Sequence, residues 1–183
     1  MSEPFIDVDS LKYLDDIFIT HVHGDHVSVS LLKKLIDKFP TVRITTTDEV
    51  VKMLAAEGIK ATTALPADVE LFDSPHESVA PLFPQPEQIG IHYLGKFTHP
   101  GDSHSFTESQ AILALPMTAP WGTNVRAARM ALDLKPQHVL PIHDWHWREE
   151  AKQGAYDSFE KLLAKQGITF HKLENGKPVV IKL

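Results

Sequence analysis

The run ITHVHGDH, residues 19 to 26, packs three histidines and an aspartate into the six positions from His21 to His26. Imidazoles crowded this closely are costly to desolvate and repel one another once protonated. A polar surface turn is the plain reading and a metal cage the sharper one. The cluster ends DDIFIT (15 to 20), which reads as a short buried strand. It precedes Leu32, Leu35, Ile36 and Phe39, spaced i, i+3, i+4 and i+7 as on a helix that stops before Pro40. In extended chain alternate residues face one side, so His21 and His23 can approach one ion while Asp25 continues the row and His26 turns elsewhere. Four ligands in so short a span cannot all reach a single tetrahedral ion with bonds of about 2.0 to 2.2 Å, but they can serve two neighbouring ions. The sequence has no cysteine, so any metal must be held by nitrogen and oxygen.

The rest of the chain alternates strand-like and helix-like apolar patterns, without repeats or a linker, and reads as a single α/β (α+β) domain over residues 1–183. TVRITTT (41 to 47) is β-branched and strand-like, and Thr47 or Asp48 can cap a helix that Gly58 ends. VELFDSP (69 to 75), IGIHYL (89 to 94), KFTH (96 to 99), AILALP (111 to 116) and HVLPIH (138 to 143) read as further strands. A helix is predicted from Thr123 to Leu134. A last one carries Tyr156, Phe159, Leu162 and Leu163 on one face and closes at Gly167. ITFHKL and PVVIKL flank Asn175-Gly176, a strong hairpin signal.

Two ions beside residues 21 to 26 need one more histidine each and a carboxylate to bridge them. Later strand ends offer these: His76 in SPHES, Asp102 in the glycine turn of HPGDS, and His143 in LPIHDWH. With the HxHxDH of residues 21 to 26, the GDS of 101 to 103 and the PIH of 141 to 143, the chain resembles the metallo-β-lactamase-fold metal-dependent hydrolases. The stretch LALPMTAPWGTNVRAARMALDLKPQHVLPIH is similar to the branch of L-ascorbate-6-phosphate lactonase-like and N-acylphosphatidylethanolamine phospholipase-like proteins. The resemblance implies an αββα sandwich, with His21, His23 and His76 on a first metal, Asp25, His26 and His143 on a second, and Asp102 bridging. Members usually begin with several strands before the HxHxDH loop, whereas about fourteen residues precede DDIFIT here. A sandwich lacking some N-terminal strands is therefore expected, with a second copy covering the exposed sheet in a homo-oligomer.

Two divalent ions, two aspartates and a bridging hydroxide leave a residual charge of roughly +1, and coordination brings water to a pKa of about 7. The chemistry expected is hydroxide attack on a small ester, lactone or phosphoester, with Asp25 and Asp102 as catalytic carboxylates. Zinc leads the metals that suit these ligands, followed by manganese, iron and nickel. His99, His104, Asp144 and His146 lie close in sequence to the ligands and are candidates for substrate contact or ligand support. Trp145 and Trp147 are candidates for pocket walls, and His92 competes with His76 from inside a strand. Acidic residues outnumber basic ones, 24 to 18, which argues against nucleic acid. The acidic start and the lack of a long apolar run argue against secretion and membrane insertion, so a cytoplasmic location is expected. A protein that keeps metal but is catalytically idle, acting by binding or as a scaffold, is the main alternative. A diiron oxidoreductase is disfavoured because the first motif lacks the glutamate that the resemblance would require.

Overall fold

Residues 6–174 and 176–183 are described by a computed structural model. A short 3₁₀ turn, Val8–Ser10, leads into β1 (Asp16–Phe18), α1 (Val29–Lys38), β2 (Arg43–Thr45) and α2 (Asp48–Ala56). β1 and β2 pair in parallel with Ile17 opposite Ile44, so α1 is the crossover that a parallel pair requires. Hydroxyls fix where the helices begin. Ser28 accepts the Leu31 N–H at 3.3 Å and Thr47 that of Val50 at 3.3 Å. The apolar stripe expected on α1 is present, with Leu32 and Leu35 buried. Leu32 joins Ile19, Val27, Ile44, Val50, Leu54 and Ile59 in one core.

The second sheet holds β3 (Val69–Phe72), β4 (Gly90–Tyr93), β5 (Phe97–His99), β6 (Ile112–Pro116), β7 (His138–Ile142) and β8 (Thr169–Phe170), side by side in chain order. α3 (Asn124–Leu134) crosses from β6 to β7, and α4 (Glu149–Ala164) from β7 to β8. Their apolar faces and one face of the sheet enclose a separate core that includes Leu113, Leu115, Met130, Val139, Tyr156, Phe159 and Leu163.

Pairing direction decides where the loops gather. β4 is antiparallel to both β3 and β5, while β5 to β8 run parallel. β3, β5, β6 and β7 therefore point the same way, and their carboxyl ends, which lead to His76, Asp102, Thr118 and His143, leave by one edge. Loops at that edge are where α/β sheets place ligands. The loop after β1 is brought to it by the Ile89 N–H, which donates to the Thr20 carbonyl at 3.0 Å. Glu87, two residues earlier, caps α2: its carboxylate accepts the Glu49 N–H at 2.8 Å, at the positive end of the helix.

Two expectations need correction. Leu162 is 36% exposed and off the core face of α4, because Tyr156, Phe159 and Leu163 already supply its buried stripe. In place of a terminal hairpin, Thr169–Phe170 pairs in parallel with β7, and residues 177–183 form no strand. Asn175, at the expected turn, lies outside the described residues.

Candidate metal centre

The seven residues proposed as ligands come together from four separate loops. Donor atoms of His21, His23, His76 and Asp102 all lie within 4.8 Å of one another, and those of Asp25, His26 and His143 form a second group at the same spacing. Asp102 touches both. Its Oδ2 is 3.9 Å from His21 Nε2, 3.8 Å from His76 Nε2 and 3.1 Å from His143 Nε2, while its Oδ1 is 3.0 Å from His26 Nε2. Asp25 Oδ2 closes the second group, 3.6 Å from His143 Nε2 and 4.0 Å from His26 Nε2.

The donor chemistry fits a pair of cations. The Nε2 atoms of His21, His76 and His143 and the Oδ1 of Asp102 are buried without a hydrogen-bond partner, a costly arrangement unless a cation takes their lone pairs. The 3.0 and 3.1 Å approaches to Asp102 are short but lack hydrogen-bond direction. On the far side of each ring an acceptor selects the tautomer. Nδ1 of His76 donates to the Glu77 carbonyl at 2.6 Å and Nδ1 of His143 to the Thr118 carbonyl at 2.9 Å, which leaves each Nε2 lone pair facing inward. Thr20 Oγ1 lies 3.0 Å from His21 Nδ1 and 3.1 Å from His26 Nδ1, and with two lone pairs it can accept from both.

Electrostatics separates the rings. Burial, reinforced by His26, pushes His21 down to about 2, and burial likewise lowers His76, so both are neutral imidazoles ready to ligate. Burial also lowers His143, but the neighbouring Asp102 carboxylate outweighs it and the result lies above 6.5. For Asp102 burial alone would favour the protonated acid. Contacts with His143 and His26 win, and its pKa falls well below the carboxylate range.

Around the centre sits a clasp that the sequence did not announce. Glu77 Oε1 accepts the His104 N–H at 2.9 Å and the Ser105 hydroxyl at 2.6 Å, while Oε2 accepts from Arg126 at 3.0 Å. The Glu77 N–H donates to the Asp102 carbonyl at 2.9 Å. The loop bearing His76 is thus bolted to the loop bearing Asp102 and to α3. Gln88 adds a second bolt, accepting the Asp102 N–H at 2.8 Å and donating to the Ser74 carbonyl at 2.7 Å. Gly101 lets Gln88 in: its φ is +64° and a Cβ there would stand 2.6 Å from the Gln88 side chain. His143 has a φ of +57°, a left-handed conformation that costs a non-glycine residue roughly 1–3 kcal/mol and recurs at functional sites.

The remaining candidates divide. His99 lines a cavity of about 300 Å³ with Phe18, Thr20, Asp25, His26, Ile142, His143 and Trp145, and burial lowers its pKa to about 4. His104 turns from the centre and donates from Nε2 to the Pro116 carbonyl at 2.7 Å. Asp144 is held by the Tyr156 hydroxyl and, at 3.2 Å, by Lys152, so its carboxylate anchors the loop to α4. His146 is exposed, with its ring 6.5 Å from that of His143. Trp145 belongs to the cavity wall at 72% exposure, whereas Trp147 packs on the second core. His92 does not compete with His76: it is buried within β4, stacked on Phe72 at 4.3 Å and hydrogen-bonded to Thr98. Trp121 was missed. Its ring lies 5.4 Å from His143, 5.2 Å from His104 and 6.4 Å from His76, so it walls the centre on the side of α3.

No protein-family model matches the chain. A search of curated proteins finds Protein Rv0786c of Mycobacterium tuberculosis, 26% identical over 146 residues that cover 74% of this chain and 69% of that protein. Among solved structures, a protein from Parabacteroides distasonis described as a metal-dependent hydrolase superposes with a TM-score of 0.67 at 19% identity, covering 90% of this chain and 78% of that one. Igni18, a metallo hydrolase from the archaeon Ignicoccus hospitalis, gives 0.66 at 18% identity, covering 92% and 80%. The fold is that of metallo-hydrolases. A diphosphatase of the PhnP family is more distant, at a TM-score of 0.51 and 17% identity over 74% of this chain and 61% of that one.

Proposed function

We propose that this chain is a single-domain, dinuclear metal-dependent hydrolase. His21, His23 and His76 hold one divalent cation, Asp25, His26 and His143 hold the other, and Asp102 is shared. The observation that carries this reading is the gathering of seven donors from four loops into two groups that meet at the Asp102 carboxylate, with four of their atoms buried and unpartnered. Bound cations supply Lewis acidity and water that ionises near neutral pH.

The chain's own residues do the rest. Thr20, Glu77 and Thr118 hold the rings in the tautomer that presents Nε2. Asp102, held ionised, is an acceptor fixed between the two groups. Asp25, with 39% of its side chain exposed, stands at the open side, where it can take up a proton released during hydrolysis. The cavity beside it, about 300 Å³, suits a small ester, lactone or phosphoester. Likeness to the L-ascorbate-6-phosphate lactonase-like branch, and zinc ahead of manganese, iron or nickel, belong to the same proposal.

So does a cytoplasmic location with no nucleic-acid or membrane partner. No helix among the described residues is long and apolar enough to cross a membrane. A homo-oligomer is proposed because β1, among the described residues, pairs only with β2, and a cavity of about 440 Å³ lined by Leu11, Leu14, Ile17 and Leu32 lies beside it. Sedimentation of a monomer would remove that part alone.

The same two-stranded sheet supports a second reading, a protein that retains metal without turnover. Elemental analysis of protein purified without added metal, followed by phosphodiester, lactone and thioester substrates with and without chelator, separates the readings. The enzyme predicts two equivalents of metal and chelator-sensitive hydrolysis. Metal with no turnover of any substrate supports the idle protein.

A further inference from the structure

The cavity beside Asp25, His26 and His143 is lined mainly by residues that offer a ligand no free donor. Phe18 and Ile142 are apolar, Asp25 offers only acceptor oxygens, and the rings of His26 and His143 turn their Nδ1 atoms away to Thr20 and Thr118. His99, at the end of β5, differs. Its Nδ1 accepts the Gly101 N–H at 3.1 Å, so that nitrogen carries the lone pair and the ring proton must sit on Nε2. No hydrogen bond satisfies that Nε2–H among the described residues. We propose that His99 is a substrate-binding residue whose Nε2–H donates to a phosphoryl or carbonyl oxygen of the molecule seated against the second metal group, with Phe18, Ile142 and Trp145 facing its apolar part.

The arrangement resembles an anion hole: one fixed donor, oriented before the ligand arrives, across a small cavity from a cationic centre. It deepens the hydrolase reading and rests on it for the nature of the site, but the hydrogen bond can be observed without turnover. The turn that fixes the tautomer also carries Asp102 one residue later, so a single loop sets both the donor and the shared carboxylate.

Nitrogen-15 spectra of the imidazoles in zinc-loaded protein test it, with inorganic phosphate and acetate as probes in separate titrations. The spectra should show His99 as the neutral Nε2–H tautomer, with an Nε2 resonance that moves as the probe binds; response to phosphate alone or to acetate alone identifies the oxygen that accepts. In His99→Asn the amide oxygen can still accept from Gly101, but no donor reaches the Nε2 position. In His99→Gln an amide N–H reaches that position. Zinc content should stay unchanged in both, with probe binding about 10- to 100-fold weaker in His99→Asn and largely retained in His99→Gln. The inference is overturned by an Nδ1–H tautomer, by a resonance that neither probe moves, or by a His99→Gln variant that loses zinc while His99→Asn behaves as wild type. Absence of turnover alongside a moving His99 resonance would sink the hydrolase reading and leave this one standing. Full turnover in His99→Asn would do the reverse.

Discussion

The two halves of the centre share a carboxylate but differ in depth. His21, His76 and Asp102 are buried, with His21 at 0% exposure, whereas Asp25 is exposed and His26 and His143 are half-buried beside the cavity. Burial depresses His21 and His76, while the Asp102 carboxylate lifts His143. On the proposed reading the deep group would grip an ion and the open group would meet a substrate as well. Removing what they share should therefore do most damage: Asp102→Ala is expected to release both metals and take hydrolysis below detection, measured by elemental analysis and turnover together. Full activity in that variant would break the assignment of the shared ligand.

Single-group changes come next. His143→Ala should leave about one metal equivalent in the deep group, with a drop in turnover greater than the ~10- to 100-fold typical of a residue outside the ligand set. His76→Ala should cost the deep ion and also lower thermal stability. Equal metal loss from both variants would erase the distinction. The outer clasp ranks lower: Arg126→Met, which frees Glu77, should weaken metal affinity about 10- to 100-fold without changing stoichiometry, as read by chelator competition.

Acid should act against the buried rings in chelated protein. His21, His76, His92, His99 and His104 are all lowered by burial, so the unfolded chain binds protons more readily than the folded one below 6.5. Stability then rises with pH across the window from each folded value, about 2 for His21 and about 4 for His99, up to 6.5. His143, raised, works the other way: its contribution is complete below 6.5 and fades as pH climbs through its folded value. The lowered rings outnumber it, so the denaturant midpoint should fall on acidification from about pH 7 to 5. A midpoint that rises instead would contradict the burial described for the deep group. The smallest effect on the centre is expected from Tyr156→Phe, which should cost about 1–3 kcal/mol of stability while metal content and turnover hold.

The sequence was most legible where chemistry is local. The HxHxDH run compresses four donors into one loop, and short turns beginning with glycine or following a strand marked Asp102 and His143. The helix cap at Thr47 was readable because a hydroxyl three residues ahead of an N–H acts within one turn. Hidden residues act across the fold. Glu77 reaches Arg126 on α3, Gln88 reaches under Gly101, and Trp121 meets His76 and His143 only because β3, β6 and β7 end at one edge. Asp144 looked like a site residue by adjacency, yet its carboxylate turns to Tyr156, a partner on α4 that spacing could not reveal. Leu162 failed for the same reason, since which side of a helix is covered depends on the sheet beneath it.

The most direct measurement is anomalous X-ray diffraction from crystals grown with zinc. Two peaks are predicted on either side of the Asp102 carboxylate, one about 2.0–2.2 Å from Nε2 of His21 and His76 and the other at that distance from Nε2 of His26 and His143. A fully metal-loaded crystal with no peak among these side chains, or with its ions bound elsewhere on the surface, would contradict the account.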